Sequence, residues 1–399
     1  MLYTTENKVS SAEKAVVLDG MIMTTDSPTE AGSKMLGGYV SLFEAEAVTR
    51  LKGAGFEIGG KADVGEFAFD LLGESSANGA NLEDGTLVYA ASEAVKKGDA
   101  AAALSLDVNG APRRGAAQTG LVNIKPTYGT VSRYGTVPVA CSGETVSVTA
   151  ATADKAFEVL CAIVGHDDKD GTSLPEADCG KLKAGEGKAV KKVALAKGMT
   201  EKADGEVKAK IDRFCQCLEK AGVEVCEIDD GILMASRVAW NILMSAELCN
   251  NVSRYDGVKY GYRAQNFNGI DELYTNSRTE AFGELLKTAI LFGSETLSTE
   301  NYMKVYDKAL RIRRVICEEF GKLFKDFDAV LMPACSKMSY GVAEIEENKF
   351  LAFEENLYTA PASVTGLPAV TADGVQIVGA AFSEKALLDL VKLYEKEGK

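Results

Sequence analysis

The sequence predicts an α/β protein with a largely parallel or mixed sheet, and three observations carry that reading. Helix-like and strand-like segments alternate nearly from end to end, the order in which strands collect into one sheet and helices cover it. One strand-helix-strand unit is complete on its own, KKVALAK followed by a helix over 205–221 and then VEVCEI. With 399 residues, 46% of them hydrophobic, the chain can bury one large core or two ordinary ones.

Taken in order, EAEAVTRLKGAG at 44–55 predicts an amphipathic helix ended by Gly, and FEIGGK predicts a short strand after it. The stretch SLDVNGAPRRGAAQTG, from Ser105, is a Gly-punctuated loop and small-residue turn that leads into LVNIKPTYG, a strand-like run with a Lys-Pro-Thr-Tyr-Gly turn. TADKAFEVLCAIVG at 152–165 has Thr152 as N-cap, with Ala156, Phe157, Leu160 and Ile163 at helical spacing. Further helices are predicted around 235–252, 280–293 and 303–325, and DAVLMP at 328–333 reads as a buried strand stopped by Pro333. The tail gives a strand, GVQIVGAAF, an N-cap at Ser383 and a terminal helix. The weak seam, ADCGKLKAGEGKAVKK at 177–192, is read as a surface connection. Its GEGK lacks the first Gly and the final Ser or Thr of a phosphate loop.

The charge balance, 44 basic against 58 acidic residues, argues against broad attraction to nucleic acid or anionic membrane. No apolar run is read as long enough to span a bilayer, and the start has no hydrophobic signal core, so a cytoplasmic location is expected. Nine Cys without CxxC spacing read as free thiols in a reducing compartment. Cys215 and Cys217 lie two apart on a helix, on different faces, which disfavours a joint metal site. His166, the one His, has no company for a metal site or a His-based triad. No metal and no cofactor are expected.

Four stretches together carry a resemblance: SKMLGGYVSLFEAEAVTRLKGAGFEIGGKADVGEFAF at 33–69, LVNIKPTYGTVSRYGTVP running on through IVGHDDKDGTSL, NNVSRYDGVKYGYR at 250–263, and YTAPASVTGLPAV at 358–370. They resemble the amidase-signature family, most of all the ammonia-supplying subunits of tRNA-dependent amidotransferases. The resemblance implies a large twisted mixed β-sheet with helices on both faces. It also implies one amidase-signature domain over 1–399 without the family's N-terminal helical segment, and the companion subunits of the amidotransferase as partners. Direct nucleic-acid binding is not expected.

The family's chemistry uses a nucleophilic Ser in a Gly-rich loop, a second Ser that relays its proton and a buried Lys that takes it. A serine hydroxyl is a weak nucleophile until a neighbouring base removes its proton, and nearby backbone N–H groups steady the oxyanion. Here the nucleophile stretch resembling D-T-G-G-S-I-R falls on Asp107-Val108-Asn109-Gly110-Ala111-Pro112-Arg113, which puts Ala111 in the nucleophile's place. The relay segment G-G-S-S-G-G-S falls on Gly85-Thr86-Leu87-Val88-Tyr89-Ala90-Ala91, with Leu87 at the relay position. The strand ending I-K-D is matched by Val17-Leu18-Asp19, so Leu18 replaces the catalytic Lys, and Lys61 corresponds to a different lysine outside the triad. All three triad-equivalent positions, Leu18, Leu87 and Ala111, are aliphatic.

The resemblance also marks pocket remnants. Arg313 is matched to the residue that holds a substrate carboxylate, Asn356 stands where an Asp would bind the amino group, and Tyr262 is a further pocket residue. Asn109 and Gly110 replace a Gly pair beside the nucleophile. The expectation is therefore a catalytically inactive amidase-fold protein with a partner-binding or regulatory role. Two alternatives stand beside it. One is an active amidase or amidotransferase component with a relocated nucleophile such as Ser92, Ser105 or Cys141; the other is a glutamine- or amino-acid-sensing module with a remodelled pocket.

Overall fold

The computed structural model describes residues 2–185 and 189–397. Its strands are β1 (Tyr3–Glu6), β2 (Ala15–Asp19), β3 (Glu57–Ala62), β4 (Leu82–Glu83), β5 (Thr86–Leu87), β6 (Ala102–Asp107), β7 (Val122–Lys125), β8 (Thr145–Ala150), β9 (Lys192–Ala196), β10 (Glu224–Ile228), β11 (Ala329–Pro333), β12 (Ala369–Ala372) and β13 (Val375–Gly379). Eleven of them form one sheet in the order β1-β3-β2-β6-β8-β7-β12-β13-β11-β9-β10, and β4 and β5 form a separate hairpin. The sheet is mixed: β2 runs parallel to β3 and β6, and β9 parallel to β10 and β11, while the central strands β6, β8, β7, β12 and β13 pair antiparallel. Helices cover both faces, as expected for an α/β fold of this size.

The central strands bury polar side chains. Ser105 pairs across the ladder with Ser147, Asp107 with Thr145, Asn123 with Thr149 and with Thr371, and Thr371 with Gln376. Cross-strand partners and alternate residues share a face, so these buried groups line one side of the sheet as a polar floor. Helix Ala111–Thr119 sits on that floor through Arg113, which donates to Asp107 at 2.7 and 3.0 Å and to Gln376 Oε1 at 2.8 Å.

Most elements follow the sequence periodicity. Helix Ala153–Ile163 starts where Thr152 accepts the Lys155 N–H at 3.3 Å, and it buries Ala156, Leu160 and Ile163. Three regions depart from it. The first half of the 177–192 seam is helix Glu176–Ala184, which buries Cys179 and Leu182; Glu186 to Lys188 of its GEGK lie outside the described residues. The helix expected at 280–293 is Glu284–Thr296, and a further helix that the sequence reading did not expect, Ile270–Ala281, precedes it. Between them Phe282 is extended and packs edge-on against Phe67 at 6.2 Å, while the Gly283 N–H donates to Glu66 at 2.8 Å. Finally, Gly231–Val252 is helical almost throughout and is long and apolar enough to cross a membrane, which corrects the reading of no such run. Half of its most apolar window is buried, and it packs against helices Glu284–Thr296, Asp307–Asp326 and Leu351–Thr365, as a core helix does.

Candidate functional site

The nucleophile-equivalent loop forms where β6 ends at Asp107 and helix Ala111–Thr119 begins. Gly110 caps that helix in the left-handed region at φ 88°, and a Cβ on it would lie 2.3 Å from Thr359 Cβ. Pro112 follows in the first turn, where its missing N–H removes no helical bond. Asn109 fixes the loop from both sides: its Nδ2 donates to the Phe69 carbonyl at 2.7 Å, and its backbone oxygen accepts from Thr359 Oγ1 at 2.9 Å and Asn356 Nδ2 at 3.0 Å. Asn356 Nδ2 also reaches the Asn109 side-chain oxygen. The Asn109–Asn356 amide pair thus ties this loop to helix Leu351–Thr365.

Ala111 is 4% exposed, and Leu18 and Leu87 are fully buried. Leu18 lies in β2 between Lys61 of β3 and Leu104 of β6. Leu87 is held in its short strand by Tyr340, whose carbonyl accepts the Leu87 N–H at 2.8 Å, and by Gln118 Nε2, which donates to the Leu87 carbonyl at 2.7 Å. Leu87 also lines a cavity of about 430 Å³. An aliphatic side chain at each of these positions has no lone pair or proton to offer, so none can act as nucleophile, relay or base.

The sequence reading passed over Tyr89. It occupies a Gly position of the relay segment, is 2% exposed, and its hydroxyl donates to Asp19 Oδ2 at 3.1 Å. Gly115 on the next helix gives it room, since a Cβ there would lie 2.4 Å from Tyr89 Cβ. The signal was present: a bulky aromatic where the resemblance places a glycine fills space that a glycine would leave open. Asp19 also accepts from the Met21 and Leu106 N–H groups, and burial pushes its carboxyl up to about 6.

Lys61 directs its ammonium to the 27–29 turn, donating to the Ser27 and Pro28 carbonyls and to Thr29 Oγ1, and burial lowers it to about 8. Arg313, half-buried, donates to Ser142 Oγ at 3.0 Å and to the Ser142 carbonyl at 2.8 Å, so its guanidinium is engaged at the 139–144 turn. Tyr262 donates to Glu280 at 2.5 Å beneath the ammonium of Lys34, beside a second, polar cavity of about 480 Å³ that Lys34 and Glu280 line. The structure thus brings Asn109, Gly110, Ala111 and Asn356 together, opens Leu87 onto a cavity, and places Arg313 and Tyr262 at other contacts. Arg313 and Ser142 are 171 residues apart, a pairing that no local motif announces.

The alternative nucleophiles are poorly placed. Ser92 and Ser105 are fully buried, and burial and Glu144 raise the Cys141 thiol, the opposite of activation. All nine cysteines are free. His166 is exposed, with Nε2 3.0 Å from Asp168. Among the described residues no cluster of three His, Cys, Asp or Glu could hold a metal ion.

A mixed sheet of this order, with a Gly-capped helix opening beside a small hairpin, is the fold of amidases, and the family model for Amidase matches residues 16–388. The chain belongs to that family. Among its relatives, the A subunit of glutamyl-tRNA(Gln) amidotransferase from Streptococcus pneumoniae strain 70585 is 34% identical over 98% of this chain and 83% of its own length. Its counterpart from Maridesulfovibrio salexigens is 32% identical over 96% of this chain and 83% of its own. The crystal structure of the counterpart from Thermotoga maritima superposes with a TM-score of 0.80 at 26% identity, covering 99% of this chain and 87% of that one.

Proposed function

We propose that this protein is a relative of the glutaminase component of tRNA-dependent amidotransferases that does not hydrolyse amides and acts in the cytoplasm by binding partners, in a structural or regulatory role. The observation that supports it most is the joint replacement of three positions, each in its own motif, by buried aliphatic side chains: Leu18, Leu87 and Ala111. Once catalysis is not required, exchanging a buried Lys and two hydroxyls for apolar packing removes a desolvation penalty. The Asn109–Asn356 pair and the filling of the relay segment by Tyr89 point the same way.

The relatives are subunits of an amidotransferase, and the companion subunits of such an enzyme are the partners this reading expects. The SRYDGVKYGYR region and the helices after it are the candidate contact area, where Tyr260, Phe267, Ile270 and Tyr274 are exposed. A pull-down from the native cell is expected to recover companion subunits. Treatment of the purified protein with an acylating activity-based probe is expected to leave no mapped adduct, and an adduct at one Ser or Cys would restore the relocated-nucleophile alternative.

A further inference from the structure

The polar cavity beside Tyr262 has a volume of about 480 Å³, and none of Leu18, Leu87, Asn109 and Ala111 lines it. One wall is the end of helix Ile270–Ala281 with Glu280, another is the short helix Lys34–Leu36 with Glu30 just before it, and a third is the 75–78 turn. Its inner end is closed by Glu66, which is 2% exposed and accepts from Ser33 Oγ at 2.6 Å and from the Gly283 N–H at 2.8 Å. A cavity of this volume has room for a ligand of amino-acid size.

The charges left on the walls do not pair with one another. Glu280 Oε2 accepts from the Tyr262 hydroxyl at 2.5 Å, and Glu30 Oε1 accepts from the Gly38 N–H at 2.7 Å. Among the described residues neither carboxylate has a cation within ion-pair distance, and the second oxygen of each accepts from no protein donor. Lys34 holds its ammonium 4.1 Å from the centre of the Tyr262 ring and likewise has no carboxylate partner, so its three N–H groups are open to a ligand. The phenol ring spaces these groups: the ammonium lies over its face, and Glu280 lies at its hydroxyl edge.

Two anions and one cation call for the reverse pattern in a ligand. An α-ammonium and its neighbouring carboxylate can bridge the two sides of the Tyr262 ring, the carboxylate toward Lys34 and the ammonium toward Glu280, through charge-assisted hydrogen bonds. That leaves Glu30 for a second cation. A neutral side chain would leave Glu30 unmatched, and a simple diamine would set a like charge against Lys34.

We propose that this cavity binds a diamino acid, with its α-carboxylate on Lys34, its α-ammonium on Glu280 and its side-chain ammonium on Glu30. Such binding is independent of amide hydrolysis and is read without turnover, so its failure is distinguishable from the appearance of catalysis.

Isothermal titration calorimetry of the full chain at neutral pH with L-lysine, L-norleucine, cadaverine and L-glutamine tests it. Lysine is expected to bind saturably. Norleucine and glutamine, which lack the side-chain ammonium, and cadaverine, which lacks the carboxylate, are each expected to bind weaker by on the order of tenfold or more, about 1.4 kcal/mol. Glu30→Gln is expected to bring lysine down to the affinity of norleucine, and Lys34→Met to bring it down to that of cadaverine while leaving cadaverine no weaker. Neither side chain is buried, so both variants are expected to keep the unfolding midpoint of the parent. Ala77→Trp, which fills the cavity from an exposed wall, gives a second measurement and is expected to weaken lysine by about tenfold or more. Absence of saturable lysine binding, equal binding of norleucine, glutamine or cadaverine, or a lysine affinity unchanged in Glu30→Gln, Lys34→Met or Ala77→Trp would overturn the proposal.

Discussion

Gly110 and Arg113 show what holds the loop between β6 and helix Ala111–Thr119 in place. Gly110 holds a left-handed conformation against Thr359, so Gly110→Ala forces both backbone strain and a 2.3 Å approach. It should lower stability by about 1–3 kcal/mol in urea unfolding. Arg113 and Asp107 are both fully buried, and the guanidinium also donates to the Thr359 carbonyl and Ser363 Oγ at 2.7 and 2.8 Å. Arg113→Met leaves Asp107 in the core without its ion-pair partner, and a loss of roughly 3–5 kcal/mol is expected, or failure to fold. The three aliphatic positions Leu18, Leu87 and Ala111 give the opposite test. Leu18→Lys places an ammonium in a fully buried strand position, so it should destabilise the protein by several kcal/mol and restore no activity, even combined with Leu87→Ser and Ala111→Ser. At this scale the sequence was informative where long motifs carry the register: Ala111, Leu87 and Leu18 are assigned to their positions by the motif residues around them. It was uninformative about Arg313, because the group that engages it, Ser142, comes from a distant turn.

The elements that periodicity made legible are those with a cap or a sharp stop. Helix Ala153–Ile163 begins at its Thr152 cap, and β11 ends at Pro333. Thr152→Ala should cost about 1 kcal/mol in thermal or urea unfolding, the loss of one satisfied N–H at the helix start. Elements decided by tertiary contact were not legible. The break at Phe282 and Gly283 is made by Phe67 and Glu66, more than 200 residues earlier, and helix Glu176–Ala184 lies in a stretch whose Gly and Lys content suggests a loop. The long apolar helix ending at Val252 was underestimated for a local reason: Gly231–Met234 runs on through Ala235, itself helical in conformation, into Ser236–Val252.

Across the whole molecule, burial of ionisable groups sets an unusual dependence of stability on pH. Burial raises the Glu66 carboxyl from 4.5 to about 7, so the folded protein holds this proton more tightly than the unfolded chain does. Its stabilising contribution is complete below about pH 4.5 and is lost as pH rises through 7. Lys125, lowered from 10.5 to about 7 by burial and by Arg113, has the opposite sign, and its contribution grows as pH rises from 7 to 10.5. Urea midpoints are expected to pass through a minimum near neutrality, with Glu66→Gln flattening the acidic limb and Lys125→Met the alkaline one; a steady rise or fall across that range would contradict this.

The fold and its family were readable in the chain because the motifs are long and occur in family order. The central claim, loss of amide hydrolysis in an amidase fold, is tested most directly by measuring ammonia release from glutamine by the purified protein, alone and with any companion subunits it retains. The account predicts no release above the buffer background for the protein alone, and none for the assembly that depends on this chain's own residues. Release that rises in proportion to the protein, and that disappears when a single Ser or Cys of this chain is replaced, would contradict it.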